Sequence, residues 1–269
     1  MEQPPLFGSD AFSPREIAER VQRVGVTKAR LSLAPLAVLG FLAGAFIGFG
    51  ALFYNIVAAD IELGFAATRL LGGLVFCLGL LLVVVAGAEL FTGNNLLVMA
   101  WADRAITTGE LLRNWTVVLL SNFVGAAGLA ALVHFSGHAA MADGAVGESY
   151  VRIAAAKCDL PFGTAFFSGI LCNALVCLAV WMTYAGRTVV DKALAIVFPI
   201  TAFVAAGFEH SVANMYLIPM GLLLDSGGSV TVQGMFTNLL PVILGNIVGG
   251  GGFVALVYHL VYRRGMGVK

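Results

Sequence analysis

Long apolar stretches separated by short charged segments make up most of the chain. Four of these stretches contain no charged residue: 31–59, 114–142, 160–186 and 226–262. Two more, 70–102 and 193–224, contain one charged residue each, Glu89 and Glu209. A helix needs about 20 apolar residues to cross a bilayer, so each stretch is long enough to span it. The pattern therefore predicts an all-α membrane protein with six transmembrane helices.

The two glutamates belong to a pattern that occurs twice. Segments 87–94 and 207–214 both read G-x-E-x-x-x-x-N, and the two copies lie 120 residues apart. An ionisable side chain is costly inside a bilayer and marks a candidate functional site there. The repeated pattern predicts that the second and fifth helices are interrupted. We expect Glu89 and Glu209 to cap backbone N–H groups in these breaks; the alternative is that the two carboxylates carry transported protons.

A second similarity indicates that the chain is internally duplicated. Segments 121–133 and 245–257 are identical at seven of thirteen positions, at an offset of 124 residues. Gly44 aligns with Gly169 more weakly, at an offset of 125 residues. Because each copy contains three spans, an odd number, the second copy must be inverted in the membrane. Inverted repeats with broken helices place a binding site near the membrane midplane, where the two breaks meet.

The duplication gives an expected domain organisation. A cytoplasmic N-terminal arm, 1–30, precedes a six-span transmembrane domain, 31–264, and a cytoplasmic tail, 265–269, follows it. Within the transmembrane domain, the first repeat is expected at about 31–142 and the second at about 157–264.

The N-terminal arm is expected to contain an amphipathic helix. Ser13 followed by Pro14 is typical of a helix start. Ile17, Val21 and Val24 then recur at helical spacing among charged residues, a pattern that favours a helix lying on the membrane surface. A solvated lead-in to the first span is the alternative.

Composition and charge agree with a membrane protein and limit its partners. Of the 269 residues, 59% are hydrophobic and 11% charged, far from the balance of a soluble domain. The formal net charge is zero, so we expect no nucleic-acid partner. Twelve Lys and Arg residues flank one side of the predicted spans, and three, Arg69, Arg152 and Lys157, flank the other. This asymmetry predicts that both termini are cytoplasmic.

Polar residues inside the spans indicate a path for an anion. The N-terminal ends of half-helices expose N–H groups and a positive dipole end, which favour negative charge. An unpaired anion is costly to bury, whereas desolvation favours the protonated form of a carboxylic acid. His210, a lone histidine among apolar and aromatic residues, is therefore expected to bind the anion and help neutralise it beside a hydroxyl such as that of Thr92. A packing role for His210 is the alternative.

Catalytic and metal-binding patterns are missing from the sequence. None of H-E-x-x-H, G-x-S-x-G and G-x-x-x-x-G-K-[ST] occurs, and the four cysteines form no C-x-x-C pair. Cysteines within apolar spans behave as small hydrophobic residues. We therefore expect no enzymatic activity, no cofactor and no metal.

Several longer motifs resemble a known family. Segment 207–219, GFEHSVANMYLIP, is similar to the fifth-span signature of the formate–nitrite transporter family, and 88–92, AELFT, to its second-span loop. Segments 172–182 and 238–246 resemble its fourth and sixth spans. The similarity extends over about 14–264 and is greatest to the formate-channel branch. It implies a homopentamer of aquaporin-like protomers, with one substrate path in each protomer.

The resemblance also implies roles for individual residues. It implies a central polar site formed by His210, Thr92 and Asn173. It implies two apolar constrictions formed by Phe76, Leu80, Leu90, Phe91 and Phe203. Lys157 would attract anions in an outer vestibule, and Glu89, Glu209 and Asn214 would hold the helix breaks. The alternatives are that the aromatic residues belong to an ordinary core and that Lys157 is an ordinary loop residue.

The function implied is passive, pH-modulated passage of small monovalent weak-acid anions, formate above all. Nitrite, hydrosulfide, acetate and lactate are related candidates. The expected partners are these anions and the lipid bilayer, and the expected location is the cytoplasmic (inner) membrane of a prokaryote. Two alternatives remain open from the sequence: a nitrite or hydrosulfide channel of the same family, and an obligate proton–anion symporter with a fixed stoichiometry.

Overall fold

The computed structural model describes residues 12–60 and 62–263. Within these residues the α-helices are α1 (Pro14–Ala29), α2 (Leu33–Ala59), α3 (Phe65–Leu82), α4 (Val98–Ala102), α5 (Thr108–Phe135), α6 (Ala145–Cys158), α7 (Phe162–Thr183), α8 (Val189–Ala206), α9 (Ser211–Leu224), α10 (Val232–Ile247) and α11 (Val257–Tyr262). A π-helical turn, Val83–Gly87, extends α3, a 3₁₀ segment, Gly93–Leu97, precedes α4, and a π-helical segment, Val248–Leu256, joins α10 to α11.

The described residues contain no β-strand, in agreement with the predicted all-α class. The tail predicted at 265–269 and the first eleven residues of the predicted arm lie outside the described residues.

Six of the described helices are long and apolar enough to cross a membrane. They are Leu33–Ala59, Phe65–Gly87, Thr108–Phe135, Phe162–Thr183, Val189–Ala206 and Val232–Tyr262. Large apolar side chains on their outer faces are exposed, for example Phe135 at 83% and Phe198 at 75%. Exposed apolar surface of this kind is expected where a protein faces lipid or another subunit. The six predicted transmembrane helices are confirmed.

Both predicted interruptions are present. The second span ends at Gly87 and the chain forms no helix again until Gly93, while 207–210 separates α8 from α9. Gly87 and Gly207 occupy the same position of the repeated pattern and both adopt left-handed backbone, with φ of 81° and 78°. Glycine reaches this conformation without the strain that a Cβ causes. The first residue of each G-x-E-x-x-x-x-N pattern therefore ends a half-helix.

The two halves of the chain pack in the same way. Helix α2 crosses α5, and α7 crosses α10 and the π-helical segment that follows it, in each case at glycines where the backbones touch. A Cβ on Gly125 would overlap the carbonyl oxygen of Phe41, and one on Gly249 would overlap that of Ile170. Small residues permit this close approach between membrane helices. Helices α3 and α8, the first halves of the broken helices, pack against each other.

Helix α1 lies against the transmembrane domain. It begins with a capping box, in which the Ser13 side chain and the Glu16 carboxylate each accept a hydrogen bond from the other's backbone N–H. Its apolar residues, among them Ile17 and Val21, are buried with Met99 and Trp181 in one cluster. The predicted amphipathic helix thus buries its apolar face on protein.

Candidate functional site

The break between α8 and α9 is built around the buried carboxylate of Glu209. Its Oε1 lies 2.7 Å from Nζ of Lys157, and its Oε2 accepts a hydrogen bond of 2.6 Å from Nδ2 of Asn214. Asn214 Nδ2 also donates to Oδ1 of Asn238 at 2.7 Å. The carboxylate is thus paired with a lysine and fixed by an amide within the break.

The break after α3 contains the same arrangement. Glu89 Oε1 lies 3.0 Å from Nζ of Lys28, and its Oε2 accepts from Nδ2 of Asn94 at 2.7 Å. Asn94 Nδ2 in turn donates to Oδ1 of Asn114 at 3.0 Å. Neither Lys28 nor Asn114 was predicted to be a site residue. The duplicated pattern was the signal that could have found them, because a partner of one glutamate predicts a partner of the other.

The expected capping of backbone N–H groups by the two glutamates is wrong. Both carboxylates accept hydrogen bonds from side chains instead, and asparagines of the neighbouring helices satisfy the backbone of the breaks. Asn122 on α5 accepts from the N–H of Phe91 at 2.9 Å and donates to the carbonyl oxygens of Gly40 and Glu89 at 2.7 and 2.9 Å. One amide therefore ties the first break to both α2 and α5.

Asn246 plays the equivalent part in the second half. It accepts from the N–H of Ser211 at 3.0 Å and donates to the carbonyl oxygens of Gly169 and Glu209 at 2.8 and 3.1 Å. Gly169 is thus the structural equivalent of Gly40, at an offset of 129 residues. The sequence alignment of Gly169 with Gly44 is wrong by one helical turn.

His210 and Thr92 are hydrogen-bonded to each other between the two breaks. His210 is only 3% exposed, and its Nδ1 accepts a hydrogen bond of 3.1 Å from the N–H of Ala213, which caps α9. An acceptor at Nδ1 leaves the ring proton of a neutral imidazole on Nε2. Nε2 lies 3.0 Å from Oγ1 of Thr92, so the ring donates to the threonine hydroxyl.

Aromatic rings enclose the histidine on one side. The ring of Phe203 stacks on His210, with centroids 5.8 Å apart and planes inclined by 23°. Phe76 meets Phe203 edge to face at a centroid distance of 5.6 Å. The imidazole therefore lies beside an apolar wall formed by α3 and α8.

Two cavities lie near this pair, one lined by His210 and the other by Leu90 and Gly93, the neighbours of Thr92. The first, called the Lys157 cavity, has a volume of about 250 Å³ and is lined by Lys157, Phe76, Phe203 and His210, among others. The second, called the Lys28 cavity, has a volume of about 310 Å³ and is lined by, among others, Lys28, Glu89, Leu80 and Leu90. Each cavity thus has a lysine–glutamate pair in its wall and large apolar side chains where it approaches the His210–Thr92 pair.

Three of the predicted site residues, Thr92, Asn173 and Phe91, line neither cavity. Asn173 is fully buried and donates to the carbonyl oxygens of Asn246 and Thr92 at 2.6 and 3.3 Å, so it supports the backbone beside the pair. Phe91 is 2% exposed and its ring packs against Trp115 at a centroid distance of 6.3 Å. In the part of the chain that the structure describes, no group of three or more His, Cys, Asp or Glu residues is placed to hold a metal ion.

The chain is similar to known proteins over nearly its whole length. Residues 15–260 match the family model described as Formate/nitrite transporter. The chain is 40% identical to the Formate channel FocA of Escherichia coli (strain K12) over an alignment of 275 residues. This alignment covers 95% of this chain and 96% of that protein.

Solved structures give the same result. One is described as an FNT family ion channel and matches with a TM-score of 0.83 and 32% identity, covering 91% of this chain and 98% of that one. Another is described as a pentameric formate channel with formate bound and matches with a TM-score of 0.77 and 36% identity, covering 86% of this chain and 97% of that one.

A duplicated fold in which broken helices meet between two cavities is the architecture of a membrane transport protein. The comparisons decide which kind. The chain belongs to the formate/nitrite transporter family. The family predicted from the motifs is confirmed, and with it a transport protein in place of an enzyme.

Proposed function

We propose that the chain is a passive, pH-modulated channel for small monovalent weak-acid anions, with formate as its principal substrate. The observation that carries the proposal is the buried His210–Thr92 pair, joined at 3.0 Å between two cavities. The names of two similar proteins support formate as the substrate, since one is a formate channel and the other a channel with formate bound.

The apolar constrictions give the physical reason for weak acids. In this proposal Phe76 and Phe203, which line the Lys157 cavity, form one constriction, and Leu80 and Leu90, which line the Lys28 cavity, form the other. A bare anion would lose its hydration there without a compensating charge, at a cost of many kcal/mol. A weak acid escapes this cost by taking up a proton as it leaves water, because desolvation favours its neutral form. A permanently charged ion such as chloride has no such route.

The hydrogen bonds of His210 suggest how the pair assists that step. Its Nε2–H donates to Thr92 Oγ1, which leaves the threonine's own hydroxyl hydrogen available to an anion. A second ring proton on Nδ1 would point at the N–H of Ala213 and would break that cap. We therefore assign His210 the role of a neutral donor that polarises the Thr92 hydroxyl toward the entering anion, while the proton for the acid comes from hydronium of the bulk solution, which leaves only water behind.

Assembly and orientation complete the proposal. The similar solved structure with formate bound is described as pentameric. We propose that this chain also assembles as a homopentamer, with one path per protomer. The excess of Lys and Arg on one side favours cytoplasmic termini in a bacterial inner membrane. Lys28 belongs to α1, next to the N-terminus, so the Lys28 cavity would open to the cytoplasm and the Lys157 cavity to the outside.

Flux measurements in proteoliposomes test the proposal. Formate should enter vesicles that contain the wild-type chain far faster than protein-free vesicles, and chloride should stay near the background rate. His210→Asn and Thr92→Ala should each reduce formate flux by about tenfold or more, since each removes a hydrogen bond that serves a charged ligand. His134→Asn, in the last turn of α5 and outside both cavities, is the matched control and should retain wild-type flux.

Chloride flux equal to formate flux would contradict the weak-acid route. Unchanged formate flux in His210→Asn would remove the histidine from the mechanism. Nitrite or hydrosulfide flux faster than formate flux would retain the route and replace the substrate.

A further inference from the structure

Three basic residues flank the proposed outer side of the membrane, and two of them already have partners. Lys157 is neutralised by Glu209 at 2.7 Å. Arg152 donates through Nη2 to the carbonyl oxygen of Ala58 and to Oγ of Ser149, both at 3.1 Å. Within the described residues the third, Arg69, forms no hydrogen bond or ion pair; its guanidinium lies 5.7 Å from the centroid of the Phe65 ring, and its Nε is buried without a hydrogen-bond partner. Buried donors are normally satisfied, so Nε of Arg69 has the capacity to bind a water molecule or an anion.

Arg69 is positioned at the entrance to the site. It extends from α3 into the wall of the Lys157 cavity, the same cavity that reaches Phe203 and His210. Its guanidinium lies over the helix break, because a Cβ built on Gly207 would be 2.5 Å from Nη2. The absence of a side chain at Gly207 thus provides the space in which the guanidinium rests.

Among the charged residues that line this cavity, Arg69 is the cation without a paired carboxylate. Lys157 and Glu209 cancel one another, whereas the guanidinium of Arg69 retains a full positive charge. A guanidinium also differs from an ammonium in shape: its planar N–H groups match two oxygens of one anion in parallel. An anion with a single acceptor atom cannot form both of these parallel hydrogen bonds.

We propose that Arg69 forms an anion-binding site at the outer mouth, which captures planar anions with two terminal oxygens, carboxylates and nitrite, before they reach His210. This inference rests on the proposed channel function and orientation. It assigns the role of outer anion attractor to Arg69, in place of the paired Lys157. Binding there raises the local concentration of substrate and weakens as salt screens the charge.

The test is uptake of external anions by cells that lack their own formate transporters and express the full chain. Initial rates are measured against formate, nitrite and hydrosulfide concentration at low and high ionic strength. In Arg69→Gln the half-saturating formate concentration should rise about tenfold, the effect of losing one charge-assisted bidentate contact, with little change in maximal rate. In Arg69→Lys the salt dependence should remain, while the preference for formate over hydrosulfide should fall.

Arg152→Gln and Arg152→Lys provide the matched control, since they make the same changes on the same side but outside the Lys157 cavity. All rates are divided by the amount of assembled protein in the membrane, and Arg69→Lys alone carries the test if Arg69→Gln does not insert. Arg69 variants that behave like the Arg152 variants overturn the inference and leave the proposed function standing. Absence of formate uptake in the wild type would instead refute the proposed function.

Discussion

His210 and Leu90 occupy equivalent positions in the two copies of the duplicated pattern, 120 residues apart. The glutamates that directly precede them make equivalent contacts, since Glu209 and Glu89 each bind a lysine and an asparagine. The two copies differ at this position, where one half supplies an imidazole and the other an apolar side chain. The proposed chemistry depends on that difference, and the shared framework holds the two breaks in place.

The lysine–glutamate pair of the second break should behave as a buried, coupled unit. Lys157→Met leaves Glu209 without its cation, and Glu209→Gln leaves Lys157 without its anion, so each single change should lower the free energy of unfolding by about 3 kcal/mol. The double variant should lose clearly less than the sum, because no unpaired charge remains. Melting of the purified protein in detergent, read as a double-mutant cycle, gives the coupling.

The exposed pair Arg15–Glu19 is the control for this cycle. Its closest atoms are 3.9 Å apart, with side chains 61% and 40% exposed. Arg15→Met and Glu19→Gln should therefore change stability by no more than about 0.5 kcal/mol, singly or together. Additive losses at Lys157 and Glu209 would mean that the two side chains act independently.

Part of the site could be predicted from the sequence because charge is so rare in the spans. A lone Glu89, Glu209 or His210 in an apolar stretch is conspicuous by its cost. Lys28 and Arg69 could not be assigned in this way, since both lie near span ends, where lysine and arginine are ordinary. The contacts distinguish Lys28, paired with Glu89, from Arg69, which has no such partner among the described residues.

The duplication extends beyond the three-helix repeats expected from the sequence. Lys28 lies near the end of α1 and Lys157 near the end of α6, and each pairs with the glutamate of a helix break. We infer that each unit comprises a leading helix and three spans. The sequence alignment did not include α1 and α6, which share three residues at the offset of 129 that also relates Gly40 to Gly169: Glu19 and Glu148, Arg23 and Arg152, and Lys28 and Lys157.

The register of α2 against α7 was also out of reach of the sequence. Gly40, Gly44 and Gly48 follow one another every four residues, so an alignment shifted by one turn places glycine on glycine just as well. Only the hydrogen bonds from Asn122 and Asn246 select Gly40 as the equivalent of Gly169. The broken helices were predicted better, because their pattern contains a glutamate and an asparagine at fixed spacing.

Helix crossings give a prediction with an internal control in each half. Gly125→Ala and Gly249→Ala place a methyl group against a backbone carbonyl, so each should lower the free energy of unfolding by about 1–3 kcal/mol. Gly128→Ala and Gly252→Ala lie one turn away, where a Cβ would have its nearest contact at 3.9 and 4.0 Å, and should change little. Melting temperatures in detergent compare the pairs.

Equal stability within each glycine pair would show that the crossings have room to relax. A loss confined to one half would mean that the two crossings, despite equivalent sequence positions, differ in rigidity.

For the whole molecule, hydropathy was sufficient to predict six spans because a bilayer requires long apolar segments whose backbone is satisfied internally. The arrangement of protomers was not encoded so plainly. Exposed side chains such as Phe65, Phe135 and Phe198 cover the outer surface of the protomer. Lipid and a neighbouring subunit are both apolar, so the same composition suits either contact.

The central claim is that the substrate crosses the constrictions as a neutral acid assisted by His210 and Thr92. The most direct test measures formate and chloride flux into proteoliposomes between pH 8 and pH 5, with the flux of protein-free vesicles subtracted. A lower pH supplies more protons to the entering anion, so formate flux through the wild-type chain should rise steadily as pH falls, while chloride flux stays near zero throughout. Formate flux that ignores pH, accompanied by comparable chloride flux, would contradict the account.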